Sequence, residues 1–398
     1  MKPFFLSLLA AGALTACAQS QSAPIISIEN HLDIPRSCEM VEVDGTKLLK
    51  QYPAEEGKFF AITDAAARPV AYDIVGSSIF FQATVGANAS ADYFVVPSDT
   101  LPAFAAITSA RVYPERNDDF SWENDLVAFR AYGPTTQKNK EKAFGYDIFL
   151  KHPSPHPMLE ILYERQCNPA NWAKADSLGK IDKKLRQDWL DGYVSYHIDH
   201  GLGMDCYAVG ATLGDGVAAI FSNDSIRFPW CYEKATVLSL TPRRVQFQLD
   251  FAPRAIGADS AVVEHRIITL DAGEHLNHTT LWYDGLTAPQ TIVAGFPLRD
   301  DSPTYTDSST GIVAYADPTQ GPDNGRAQLG LIIPGGADST FTAQGHVLAA
   351  KSLQPGQAYH YWWGFSWDRA DIPSMEAWIE YLVEKERRLA SPLTATVK

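Results

Sequence analysis

The chain is poor in positive charge: 33 Lys and Arg stand against 47 Asp and Glu, a formal net charge of −14. Binding to nucleic acid needs a basic surface to meet phosphates, so the charge argues against that partner class. An acidic protein can still take acidic sugars if a few Arg and His residues converge locally. Cysteine is scarce, with five residues and no CxxC pair, which argues against a zinc knuckle. There is no Walker loop, no dinucleotide glycine pattern after an opening strand and no GxSxG elbow. No fixed repeat period argues for a propeller. Beyond the N-terminus no apolar run is long enough to span a bilayer.

The N-terminus itself is apolar. MKPFFLSLLAAGALTACAQS has Lys2 as a short basic region, Phe4 to Leu14 as an apolar core of signal-peptide length, and then Leu14-Thr15-Ala16-Cys17. That ending resembles the lipobox of bacterial lipoproteins. The resemblance implies cleavage before Cys17 and a diacylglycerol on its sulfur. Ala18 follows in place of Asp, which in the lipoprotein pattern points to the outer membrane. The expected location is therefore the periplasm, with the membrane a partner only through the anchor; an ordinary secretory signal cut near Ala16 or Ala18 is the alternative. Cys38, Cys167, Cys206 and Cys231 remain for that oxidising compartment. Of their pairings, Cys206 with Cys231 is expected first, against four small buried thiols.

Short strand-like runs dominate the rest of the chain. Phe59 to Ile62, Val70 to Ile74 and Ile79 to Val85, preceded by Asp44-Gly45 and Glu56-Gly57 turns, predict an N-terminal β-sandwich module over residues 23–110. Residues 111–398 predict a larger antiparallel sandwich, with eight strand candidates at hairpin spacing between Ala235 and Phe365. A helix is expected at 374–390, capped by Ser374. The Pro-, Asn- and Lys-rich segment from Lys151 to Gln187 reads as a surface excursion with a short helix near Ile181 to Trp189. Long excursions of this kind often wall a substrate site. Nine Trp, 17 Tyr and 19 Phe can stack on sugars or fill a core.

Two stretches concentrate chemistry. YVSYHIDHGLGMDCY, Tyr193 to Tyr207, holds two of the ten histidines, His197 and His200, with Asp199, Asp205 and Tyr207 around a Gly-Leu-Gly turn. Dense titratable groups mark working sites more often than plain strands. In an extended strand His197 and Asp199 share a face and His200 takes the other; a turn at Gly201 would let both histidines converge. DDFSWENDLVAFRAYGP, Asp118 to Pro134, puts Arg130 and Tyr132 among apolar neighbours. A half-buried guanidinium needs a carboxylate. Either the protein supplies it, as Glu123 or an Asp, or a uronic acid ligand does.

WENDLVAFRAYGP and SYHIDHGLGMDCYAVGATLG, with AGFPLRD and YHYWWGFSWD, resemble the bacterial family catalogued as domain of unknown function 4861 over most of the mature chain. The family is similar to proteins encoded with pectin- and ulvan-degrading systems, where at least one relative dehydrates terminal uronic acids of oligosaccharides. The resemblance implies a β-supersandwich like those of mutarotases and lyases, and an acidic oligosaccharide as substrate. Removing the 4-hydroxyl of a uronate requires abstraction of the C5 proton, neutralisation of the adjacent carboxylate and protonation of the departing oxygen. On that scheme His197 or His200 is the base, Tyr207 or Tyr132 the acid and Arg130 the neutraliser. Trp122, Glu123, Tyr132, Asp205, His360 and Trp363 are expected to contact substrate. No cofactor is specified by these residues. A divalent metal on His200 and Asp205, completed by His360 or Glu123, is the alternative, and zinc or manganese suits that set. A polysaccharide lyase running the same elimination, or a glycan-binding lipoprotein without catalysis, are the rival readings.

Overall fold

The computed structural model describes residues 24–398, so Cys17 and the leader lie outside the described residues. Alternating burial builds the larger body. In the strand Arg244–Asp250, Val245, Phe247 and Leu249 are buried while Arg244, Gln246 and Gln248 are half-buried on the other face. Among the described residues, this strand belongs to a nine-stranded antiparallel sheet running from Lys234–Leu240 at one edge to Thr304–Asp307 at the other. Facing it is a second layer of two five-stranded sheets. One carries Ser109–Tyr113, Asp119–Glu123, Ala128–Ala131, Asp147–Lys151 and Gly203–Met204; the other includes Ala218–Ser222, Gln290–Pro297 and His346–Leu353. A single bridge between Tyr146 and Gly214 joins the two. The protein is thus mainly β, with its core between the layers. Trp122 packs on Phe247 with ring centres 4.8 Å apart, and Tyr146 stacks on Trp363 at 4.5 Å.

A smaller body at the N-terminus has its own core around Ile26, Ile62, Phe81 and Val95. The strand Thr394–Val397 returns to it and pairs antiparallel with Ile25–Asn30, Ile26 opposite Val397. The strand Ser109–Tyr113 straddles the boundary expected at 110–111 and pairs within the larger body. The C-terminal helix spans Met375–Ala390, with the Ser374 hydroxyl accepting from the Ala377 N–H at 3.2 Å. Its Trp378 and Leu382 are buried against Leu276, Ile312 and Ile332 of the nine-stranded sheet.

Two expectations need correction. The excursion after Lys151 holds three helices, Leu159–Cys167, Pro169–Gly179 and Lys183–Trp189, in place of one. Asn168 and Asp182 cap the second and third. Such short helices gain little from propensity. Leu159, Leu162 and Tyr163 are buried against Phe149, Tyr113 and Tyr196 on the outer face of the first five-stranded sheet, and that packing holds the first helix. Cys206 and Cys231 are both free, as are Cys38 and Cys167. Burial pushes the Cys206 and Cys231 thiols up to about 12, and the Cys231 Sγ faces the Ala143 carbonyl at 3.6 Å.

If the C-terminal helix is held by its apolar face, Trp378→Ala should lower the unfolding free energy by about 3–5 kcal/mol. Urea denaturation followed by circular dichroism measures it, and a loss near zero would show that the helix is not packed as described.

Candidate functional site

The site starts from the register of three strands. Phe120, Trp122 and Phe129 face the core, so Ser121, Arg130 and Asp147, which lie opposite one another in adjacent strands, face outward beneath the helical excursion. Arg130 is nevertheless buried. Its Nε donates to Asp147 at 3.0 Å and its Nη2 to Asp205 at 2.8 Å, with a further short contact from Nη2 to Asp147. Its Nη1 and Nη2 also reach the hydroxyls of Tyr196 at 3.4 Å and Tyr132 at 3.5 Å. Burial opposes the guanidinium charge, but Asp147, Tyr132 and Asp205 outweigh it and hold the pKa well above its ordinary value. Burial pushes Asp147 up to about 6 against the opposing pull of Arg130.

This geometry overturns several expected roles. Arg130 is occupied by two protein carboxylates and is not open to a substrate carboxylate. Tyr132 donates to Asp147 at 2.7 Å inside the same cluster. Glu123 pairs with Lys151 at 2.6 Å, and it accepts from the Met158 and Leu159 N–H groups at 2.8 and 2.9 Å. It is therefore a buried helix cap, with no route to a sugar or a metal. Trp122 and Trp363 are fully buried and donate to Asn277 and Thr279. His360 is exposed beside His278 on the outer face of the nine-stranded sheet, across the sandwich from Arg130. The Tyr207 hydroxyl is buried and unpartnered among the described residues, as are both carboxylate oxygens of Asp215 and one of Asp317, so Tyr207 does not meet solvent as an acid must. The metal set of His200, Asp205, His360 and Glu123 is dispersed in the same way. Among the described residues no three His, Cys, Asp or Glu gather as metal ligands.

What does reach the surface is a rim of histidines. The helical excursion ends in a wide turn through Leu190–Val194, after which Ser195 to Gly203 fold tightly, with φ of +87° at Gly201 and +132° at Gly203. A Cβ at Gly203 would lie 2.0 Å from the Leu150 carbonyl oxygen, so the close approach requires glycine. His197 Nδ1 donates to the Asp205 carbonyl at 2.7 Å, while its side chain stays 55% exposed. A carbonyl can only accept, so Nδ1 carries a proton, and in the neutral ring the lone pair is then on Nε2. Asp205 thus supports His197 through its carbonyl and Arg130 through its carboxylate. His200 Nε2 donates to the Ser195 carbonyl at 3.1 Å.

His152, which sequence reasoning missed within HPSPHP, belongs to the same rim. Its Nε2 donates to Asp199 at 2.7 Å, its backbone N–H to the Leu202 carbonyl at 3.1 Å, and its ring lies 4.8 Å from the buried Trp367. Asp199 also accepts from the Gly201 and Gly203 N–H groups. Burial raises its pKa, but the His152 and Gly201 hydrogen bonds outweigh that and hold it below the usual carboxylate range. Trp367 donates to the Asn324 carbonyl at 2.8 Å. Two residues beyond Asn324, Arg326 is 44% exposed with Nη2 3.3 Å from Asp300. A strand ending in Lys followed by His-Pro was the signal available for His152.

Fold and site together define a two-layer antiparallel β-sandwich protein with a sealed ionic cluster beneath a solvent-facing imidazole rim. The chain belongs to the family described as domain of unknown function (DUF4861), matched over residues 28–395. It is similar to an uncharacterized protein, P7, of Formosa agariphila, at 25% identity over 98% of this chain and 97% of that one. Two solved Enterococcus faecalis structures share part of the chain path. They are a protein in glycosyl hydrolase family 38 (TM-score 0.46, 9% identity) and an alpha-mannosidase (TM-score 0.42, 8% identity), each covering 94% of this chain. The chain spans about half the length of these two structures, 47% and 46%, and likeness at that level carries no argument about activity.

Removing the guanidinium should leave two buried carboxylates unneutralised. Arg130→Ala is expected to cost about 3–5 kcal/mol at pH 7.5. A carboxyl whose pKa is raised on folding binds its proton more tightly in the folded state. Its contribution is therefore most favourable at low pH and declines as pH rises from about 4 through the folded value. The deficit of Arg130→Ala should accordingly shrink at pH 5.5, which urea melts at the two pH values would reveal; an equal deficit at both would contradict the cluster.

Proposed function

We propose that the protein is a carbohydrate-active elimination enzyme, removing water from the non-reducing-end uronic acid of an oligosaccharide to leave a 4,5-unsaturated uronate. The observation that carries this reading is His197, whose Nδ1 is fixed by a carbonyl while its side chain stays 55% exposed. In the reaction His197 Nε2 takes the C5 proton. The C4–O bond breaks, its electron pair leaving with the oxygen while the C5 carbanion electrons form the new double bond. The oxygen departs as water after taking a proton from His152 Nδ1. Asp199, 2.7 Å from Nε2, orients the His152 ring so that Nδ1 is the nitrogen left for the departing oxygen.

Arg326 replaces Arg130 as the group that neutralises the substrate carboxylate: its Nη1 is held by the Ala316 carbonyl at 3.0 Å and its Nη2 lies 3.3 Å from Asp300, but at 44% exposure the guanidinium, unlike that of Arg130, still meets solvent. A polysaccharide lyase would use the same groups with a sugar oxygen leaving in place of water. A glycan-binding protein without catalysis would need none of the histidines. What supports a periplasmic, outer-membrane-tethered location is the LTAC stretch ending at Cys17.

Incubation with uronate-terminated oligosaccharides should raise ultraviolet absorbance at the conjugated-enoate band, with loss of one water in the mass spectrum. Chain shortening in its place would make the protein a lyase. His197→Ala and His152→Ala should each lower turnover at least a hundredfold while shifting the melting temperature by only a few degrees; wild-type activity in both would sink the assignment. In cells, Cys17→Ala should move the protein from the membrane fraction to the soluble periplasmic fraction, and unchanged fractionation would rule out the tether.

A further inference from the structure

A second surface feature lies away from the histidine rim. Between the strands Ala218–Ser222 and Ser225–Arg227 and the strand Arg254–Ile256 is an open cleft of about 680 Å³. Its lining includes Trp230, Arg227, Arg254, Asn223 and Gln290, and no carboxylate. On a chain of net charge −14, a cleft whose lining has two arginines and no carboxylate, with only Arg254 paired to an acid (Glu264), leaves the positive charge of Arg227 at its mouth.

Trp230 is 52% exposed, the most open of the protein's tryptophans among the described residues. Its ring is braced from behind, edge-on to Phe144 at 6.0 Å, and Phe144 in turn stacks on Phe228 at 5.5 Å. A large flat ring braced from behind with its outer side open offers an apolar platform to a flat ligand. The two arginines differ. Arg254 is tied to Glu264 at 2.8 Å and to the Phe228 carbonyl at 3.2 Å, so it holds the wall. Arg227 is exposed, and its side-chain hydrogen bond among the described residues goes from Nε to the Ser222 hydroxyl at 3.0 Å. Its terminal nitrogens keep the planar fork that matches carboxylate or sulfate oxygens.

We propose that this cleft is an accessory binding site for an acidic oligosaccharide, with a pyranose ring on the face of Trp230 and its anionic substituent on Arg227. Asn223 and Gln290 supply amides for the hydroxyls. The inference rests on the uronate reading above and deepens it: a site apart from the histidine rim would favour longer acidic chains over short ones.

The test is isothermal titration of the intact protein with a galacturonate hexamer, a sulfated galactan hexamer and cellohexaose, alongside turnover of a uronate-terminated disaccharide. Trp230→Ala should weaken the acidic hexamer at least tenfold. Arg227→Gln should do the same and flatten the salt dependence, while disaccharide turnover stays unchanged in both variants and cellohexaose binds weakly throughout. A larger Arg227→Gln effect on the sulfated hexamer would support the cleft and identify sulfate as the anionic group. Undiminished binding in both variants overturns the proposal even where turnover is intact. Loss of hexamer binding without any wild-type turnover keeps the cleft and removes the elimination. Failure of the wild type to bind either acidic hexamer overturns it, as does self-association that Trp230→Ala abolishes, which would make the patch a protein contact.

Discussion

The guanidinium of Arg130 between the carboxylates of Asp147 and Asp205 ties three separate parts of the chain to one point. Arg130 and Asp147 come from neighbouring strands, whereas Asp205 arrives from beyond the helical excursion. A buried ion pair contributes little net stability over apolar packing of the same shape, but its hydrogen-bond geometry admits few alternatives. Here that geometry fixes where the Tyr193–Tyr207 stretch returns to the sheet. The Asp205 carbonyl is fixed with it, and through that carbonyl so is the tautomer of His197. The solvent-facing imidazole is therefore positioned by a charge cluster that never meets solvent.

The same outer face shows how the excursion is used. Glu123 and Lys151 form a second buried pair whose carboxylate also starts the helix Leu159–Cys167. Ion pairs on the sheet thus hold the covering helices, and the apolar contacts of Leu159, Leu162 and Tyr163 close the seam. With Arg130 and Glu123 both consumed in this way, the titratable side chains of this face that reach solvent are at the margin of the cover: His152, Asp199 and His197.

The strand pattern was legible because one face of each strand is buried and the other is not, and the C-terminal helix because its cap and apolar spacing agree. That Arg130 needs a carboxylate was legible in kind. Which carboxylate was not, since the partner is set by strand register and by a residue 75 positions away. Trp122, Trp363 and Trp230 could not be sorted from sequence, because alternation separates two faces without saying which one a second layer covers. The helices after Lys151 were hidden by prolines at their junctions, although Leu159, Leu162 and Tyr163 already had helical spacing. His152 was missed for the same reason: a histidine before proline reads as loop, and nothing local announces that Asp199 lies across from it.

The strand Thr394–Val397 closes against Ile25–Asn30, so one edge of the smaller body is supplied by a segment synthesised after the whole of the larger one. Contacts between segments so far apart in a chain are the most expensive in loop entropy to form early. The first body to emerge is therefore the last to be completed, and Ile25–Asn30 waits with one edge unpaired until Thr394–Val397 arrives. During that interval the larger sandwich can mature alone, and an open strand edge is a surface that chaperones shield from other chains.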